Sequence, residues 1–270
     1  MTNRLDAKFA ALKEAEEGAL VMFVTAGDPL PTVVGTADLV LALASAGADI
    51  IELGVPYSDP LADGPSIQAS SQRALEAGVT PPFVLDVVRS VREKSGVPIV
   101  LMTYYNPVLR YGLARFAGAM KDAGADGVIL TDLPPEEAGA WKKEADANGI
   151  ATIFLLAPTS TDGRIRAVTA QMGSGFVYCV ARTGVTGARR DIPPELHALV
   201  QKIRAQTRLP VCVGFGVSSP EHVQRIVGFA DGAVIGSALV DFLCENADNA
   251  AWKRPLDLLV GSWKQGTRIS

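Results

Sequence analysis

The chain has 270 residues, room for one large domain or two small ones, with 48% apolar and 20% charged residues, the balance of a globular protein with a sizeable core. Its 25 basic and 29 acidic residues leave a net charge of −4, which lacks the basic footprint of a nucleic-acid binder and the composition of a disordered chain. Cys179, Cys212 and Cys244 are odd in number, far apart and without a CxxC pair, so they predict neither a disulfide framework nor a thiolate zinc site and read as small buried apolar side chains.

The first stretch, MTNRLDAKFAALKEAEEGAL, carries Asp6, Glu14, Glu16 and Glu17 and has no cleavage pattern, so it does not read as a signal peptide. Leu5, Phe9 and Leu12 sit at helical spacing and predict a leading helix over about 3–17. Eight short apolar runs follow: 20–25, 49–54, 98–102, 127–132, 151–156, 176–180, 210–214 and 232–236. They are nearly continuously apolar, as parallel strands covered on both faces must be. The segments between them read as helices. In PPEEAGAWKKEADANGI the prolines stand at the first helical positions, Glu136 and Glu137 in the first turn, and Asn148-Gly149 at the close. AGAD precedes the second strand and recurs before the fourth, and FADG stands before the eighth, each a helix end turning into a strand. No low-complexity linker divides the chain, and no apolar run is long enough to span a bilayer. The expectation is one (β/α)₈ barrel domain over 1–270, in the cytosol, with a doubly wound open sheet as the alternative; no GxGxxG follows the first strand.

In a barrel, reactive groups stand where strands end and loops begin. Within IELGVPYSDPLADGPS (51–66), Glu52 lies inside the second strand between apolar neighbours, so burial should raise its pKa toward neutrality and suit it to acid/base work; a salt-bridged structural glutamate is the other reading. Asp63 follows on a proline-stiffened loop able to aim it over the barrel mouth, with Gly64 providing a sharp turn, while Asp59 reads as facing outward. VGFGVSS after strand seven and IGSAL after strand eight are glycine-rich strand-to-helix connections, which read as a phosphate cradle or as ordinary turns; without a Walker motif, a small phosphorylated metabolite suits them better than a nucleotide. ARTGVTGARRDIPP (181–194) is long enough for a lid. His197 and His222 fall in helices without metal-ligand spacing, and no Ser or Cys has a nearby base, so neither a metal site nor a nucleophile triad is supported.

These residues together resemble the α subunit of tryptophan synthase from end to end, through FVTAGDP, IELGVPYSDPLADGPSIQ, LMTYYNP, TDLPPEE, RTGVTG, GFGVSSPE and GSAL. The resemblance implies a (β/α)₈ barrel and retro-aldol cleavage of indole-3-glycerol phosphate to indole and glyceraldehyde 3-phosphate. It implies Glu52 as general acid/base and Asp63 as the carboxylate that bonds the indole N–H. Phe23, Tyr104 and Leu130 would line the indole pocket, Tyr178 would stand near Glu52, and Thr186 would meet Asp63 on closure. Gly187, Gly214, Gly216, Gly236 and Ser237 would hold the phosphate. The chain itself would need no cofactor; its partner would be a pyridoxal-phosphate β subunit, in an α2β2 tetramer, met through Asp59, Pro60 and the Tyr105-Asn106-Pro107 segment. Thr131 and Ala181 depart from the family's commoner residues. A stand-alone indole-releasing lyase, a noncatalytic activating subunit and a phosphate-binding isomerase barrel are the other readings.

Overall fold

The computed structural model describes residues 3–30, 32–180, 194–214 and 216–269. Among them are nine parallel strands: β1 Ala19–Thr25, β2 Ile50–Gly54, β3 Ile99–Thr103, β4 Gly127–Leu130, β5 Ala151–Ile153, β6 Leu155–Leu156, β7 Val177–Val180, β8 Val211–Gly214 and β9 Gly232–Ile235. They pair in the order β5-β4-β3-β2-β1-β9-β8-β7-β6. The two outermost strands, β5 and β6, are separated only by Phe154 and are halves of one broken strand, so the sheet closes on itself as an eight-stranded barrel ringed by helices. The break divides the run expected over 151–156: its first half bonds β4 and its second β7, with the Phe154 carbonyl accepting the Tyr178 N–H at 3.1 Å.

Alternation along each strand sorts side chains into two layers. Leu20, Met22, Val24, Ile51, Leu53, Leu101 and Val128 face the helices in the large outer core. Val21, Ile50, Val100, Ile129, Cys212 and Val234 fill the barrel, joined from below by Leu5, Phe9 and Leu12 of the leading helix Arg4–Glu14. That helix, capped by the Asn3 side chain on the Leu5 N–H, plugs the N-terminal mouth and leaves chemistry to the opposite end.

The recurring AGAD and FADG have a common use. The Asp49 carboxylate accepts the Leu20 N–H at 2.9 Å, Asp126 that of Ile99 at 2.8 Å and Asp231 that of Val211 at 2.8 Å. Ser174, without the motif, does the same for Thr152 at 2.9 Å. Each of these residues also sends its own N–H to the carbonyl of the residue it ties, so four successive strand pairs are tied reciprocally at their N-terminal ends.

Several boundaries differ from expectation for local reasons. Asp49 stays outside β2 because its carboxylate serves β1, and Asp132 leaves β4 to accept the Tyr105 N–H at 2.6 Å. The helix expected from Pro134 begins only at Gly139, since Pro134 and Pro135 start turns closed by the Glu137 and Ala138 N–H groups and Glu136 pairs outward with Arg164 at 3.2 Å. Cys179 and Cys212 are buried as expected, but Cys244, near the end of helix Ser237–Glu245, is exposed. No described helix is long and apolar enough to cross a membrane.

Candidate active site

Glu52 stands in the middle of β2, with Phe23 of β1 and Val100 of β3 as its register partners. Parity with Ile50 turns it into the barrel, where it is 1% exposed, and neither carboxylate oxygen has a hydrogen-bond partner among the described residues. Among the described residues no cation pairs with it, which is not the arrangement of a salt-bridged structural glutamate. Burial, and then the charge of Asp63, push its carboxyl up from 4.5 to about 8.

Asp63 ends a loop that staples itself. Its N–H bonds the Pro60 carbonyl at 3.0 Å, its carbonyl accepts from the Gln68 side chain at 2.8 Å, and the neighbouring Ala62 N–H bonds the Tyr104 hydroxyl at 2.9 Å. Gly64 has φ −80°, open to any residue, so the sharp glycine turn expected there is absent; it opens helix Pro65–Glu76, whose proline already fits the first turn. That helix is anchored to the loop after β1 by Arg73 on Asp28 at 2.6 and 2.9 Å and by the Ser70 and Thr25 hydroxyls at 2.6 Å. Burial pushes the Asp63 carboxyl up from 3.8 to about 6, opposed by a hydrogen bond from Tyr104.

The walls follow from the same parity. Phe23, Ile67 and Val240 form a small apolar cluster with Met102. Tyr178, facing in from β7, is held well above its ordinary pKa by burial first and then by Glu52, Cys212 and Asp63, which places its hydroxyl in the field of both acids. A Cβ on Gly214 would stand 2.4 Å from that hydroxyl, so the Tyr178 ring lies where only glycine leaves room. Leu130, expected to line the pocket, instead packs in the outer layer with Leu53, Leu101 and Val128, because its neighbours Ile129 and Thr131 hold the inward parity. A period-two count along GVILTD would have found both, and it would have found Met102 on β3. Tyr57 was not anticipated either: its ring lies 5.1 Å from that of Tyr104, and its hydroxyl accepts from Asn106 at 3.3 Å.

Gly214 closes β8, Gly216 follows at φ +41°, and Gly236 caps helix Ser237–Glu245 with no side chain on its first N–H groups. β8 and β9 are direct neighbours, so these backbone donors gather at one sector of the C-terminal rim, suited to an anion. Thr186 and Gly187, with Ala181, lie outside the described residues. Asp59 and Asn106 are exposed and Pro60 is half-buried, on the loop after β2 and the helix after β3. Asp59 accepts from Ser58 at 2.5 Å, and next to Pro60 the Leu61 side chain is 90% exposed.

A buried acid, a second acid raised beside it, apolar walls and an anion-binding rim make a pocket for an apolar ring with a phosphate tail. A family model described as tryptophan synthase alpha chain matches residues 9–265. Among curated relatives, the tryptophan synthase alpha chain of Geotalea daltonii is 56% identical over 88% of this chain and 89% of its own, and that of Thermoanaerobacter sp. is 47% identical over 97% and 99%. The solved tryptophan synthase subunit alpha of Legionella pneumophila superposes with TM-score 0.91 at 36% identity over 99% of both chains, and a chain of Mycobacterium tuberculosis tryptophan synthase with 0.90 at 38% over the whole of both. With the family model spanning nearly the whole barrel and relatives above half identity, the chain belongs to the tryptophan synthase alpha chain family.

Proposed function

We propose that Glu52 and Asp63 carry the family's lyase reaction, the cleavage of indole-3-glycerol phosphate to indole and glyceraldehyde 3-phosphate in tryptophan biosynthesis. The single observation that carries this reading is the Glu52 carboxyl, 1% exposed, without a partner among the described residues and raised to about 8 beside an acid raised to about 6. Protonated at neutral pH, Glu52 gives its proton to the ring carbon that bears the glycerol chain, and the cationic ring that forms is held by ionised Asp63 through the indole N–H. Glu52, now a carboxylate, takes the proton of the adjacent side-chain hydroxyl. The carbon–carbon bond breaks, its electron pair returns to the ring, and the aldehyde leaves. Catalysis therefore needs Glu52 protonated and Asp63 ionised, a window between about 6 and about 8.

Phe23, Tyr104 and Tyr178 would flank the ring and Thr186 would meet Asp63 on closure. Gly187, Gly214, Gly216, Gly236 and Ser237 would take the phosphate through backbone N–H groups and a helix N-terminus. These steps are proton transfers and one bond cleavage, which side chains can perform, so the chain works without a cofactor of its own. Pyridoxal phosphate belongs to the partner, a β subunit that consumes the indole in a cytoplasmic α2β2 assembly. The exposed Asp59 and Asn106 and the half-buried Pro60, with the exposed Leu61 next to it, supply a rim for that contact.

The test is indole release from indole-3-glycerol phosphate by the purified chain, alone and with a β subunit. Glu52→Gln abolishes release while the far-ultraviolet spectrum stays unchanged, and added β subunit accelerates the unaltered chain. Wild-type turnover by Glu52→Gln removes Glu52 from the mechanism; a chain that stays monomeric and indifferent to β subunits is a stand-alone lyase.

A further inference from the structure

The loop that ends in Asp63 follows β2, the strand of Glu52, and is held from the two strands that flank it, β1 and β3. On the β3 side the Ala62 N–H bonds the hydroxyl of Tyr104, the residue after that strand, at 2.9 Å. On the β1 side the hold is indirect. Asp63 donates its N–H to the Pro60 carbonyl and accepts at its own carbonyl from the Gln68 side chain, so its place over the barrel follows that of helix Pro65–Glu76. This helix meets the end of β1 at two rungs on one face, Ser70 on Thr25 and Arg73 on Asp28, three residues apart on both sides. Arg73 is half-exposed, whereas Ser70 is 0% and Thr25 1% exposed, so the hydroxyl rung is the one that water cannot replace.

We infer that Thr25 is a positioning residue: its hydroxyl, through Ser70, fixes the helix that sets where Asp63 stands opposite Glu52. This rests on the reading of Asp63 as the anion that holds the cationic indole ring. The Ser70 Oγ lies 2.6 Å from the Thr25 hydroxyl and 2.9 Å from the Ile67 carbonyl. A carbonyl can only accept, so the single Ser70 proton goes to Ile67 and the Thr25 proton completes the bond to Ser70. The relay therefore runs from the end of β1 into the first turns of the helix, where Ile67 also packs with Phe23 and Val240 on the apolar wall. A methyl in place of the Thr25 hydroxyl turns that 2.6 Å bond into a contact needing about 3.5 Å, which pushes the helix off β1 by roughly 1 Å. Misplacement of this size at a reacting group costs up to about 10²-fold in rate. The ring's positive charge develops only in the transition state, so the loss falls on kcat and leaves substrate binding in place.

The experiment measures kcat and KM for indole release, per folded molecule of the full chain, with Thr25→Val, which keeps the shape and loses the hydroxyl, and with Thr25→Ser, which keeps the hydroxyl. In Thr25→Val kcat falls about tenfold or more while KM changes little. Thr25→Ser restores kcat. Wild-type kcat in folded Thr25→Val, a rise in KM at wild-type kcat, or a serine variant no better than the valine one overturns the inference. Ser70→Ala removes the centre of the relay without crowding Thr25; it lowers kcat severalfold and is read by the same criteria if the valine variant does not fold. Asp63→Asn separates the two claims. Wild-type release by that variant removes the reading of Asp63, whereas release lost with Asp63 but wild-type kcat in Thr25→Val and Ser70→Ala defeats only the role of Thr25.

Discussion

A carboxyl group buried at the centre of a strand costs stability, and the sign of that cost sets its pH dependence. Glu52 is raised from 4.5 to about 8 by burial and by Asp63, so the folded state binds its proton more tightly than the unfolded chain does. The stability that this proton confers is full below about 4.5 and drains away as pH rises through about 8, beyond which the loss is constant. Glu52→Gln removes that titration. Its melting temperature should match or trail the parent's near pH 5, overtake it with rising pH and keep a constant lead above about 8. Asp63, raised from 3.8 to about 6, drains stability over a lower range in both proteins and cancels from the difference. Thermal unfolding at stepped pH decides: parallel curves would mean that Glu52 titrates normally and is no neutral acid at pH 7. Two acids raised to different degrees in one pocket are the arrangement that separates a proton donor from a fixed anion.

The strand pairs are tied at their N-terminal ends by one side chain each, and the ties differ in burial. Asp126 is 3% exposed and also holds Arg92 and Arg4 at 2.8 Å, whereas Asp231 and its partner Arg204 are both about 40% exposed or more. Asp126→Ala leaves the Ile99 N–H and the Nη2 of the largely buried Arg92 without an acceptor and removes the counter-charge of that guanidinium, a cost of about 3 kcal/mol or more. Asp231→Ala loses a solvated pair and one backbone bond, a cost of about 1 kcal/mol. Urea unfolding of the two variants should keep that order; equal midpoints would show that the tie itself, and not its burial, carries the stabilisation. Both lie at the end of the barrel away from Glu52, so indole release per folded molecule should not change. The same logic explains why AGAD was legible as a repeat while Ser174 was not: the use recurs four times, but one quarter performs it with a hydroxyl in place of a carboxylate.

At the scale of the molecule, the barrel divides stability from chemistry between its two ends. The leading helix closes the N-terminal mouth with Leu5, Phe9 and Leu12, and the Phe9 ring lies 5.8 Å from that of Phe176. Phe9→Ala should destabilise by about 3 kcal/mol through the void it leaves, and turnover per folded molecule should hold. A loss of activity larger than the loss of folded protein would mean that the plug shapes the opposite mouth. What the sequence by itself determined was the count and parallel sense of the strands, since both-face burial demands continuous apolar runs, and the odd chemistry of a glutamate inside one of them. Strand parity was legible too, although the resemblance pointed to Leu130 where parity points to Ile129 and Thr131. Only the tertiary structure decided which polar groups meet. The bond from Ala62 to Tyr104, the stacking of Tyr57, the pressure of Tyr178 on Gly214 and the late start of the helix at Gly139 join residues distant in sequence, or set one local turn against another. Closure of the sheet brings such groups within hydrogen-bond reach, and no periodicity along one strand records its neighbour's stagger.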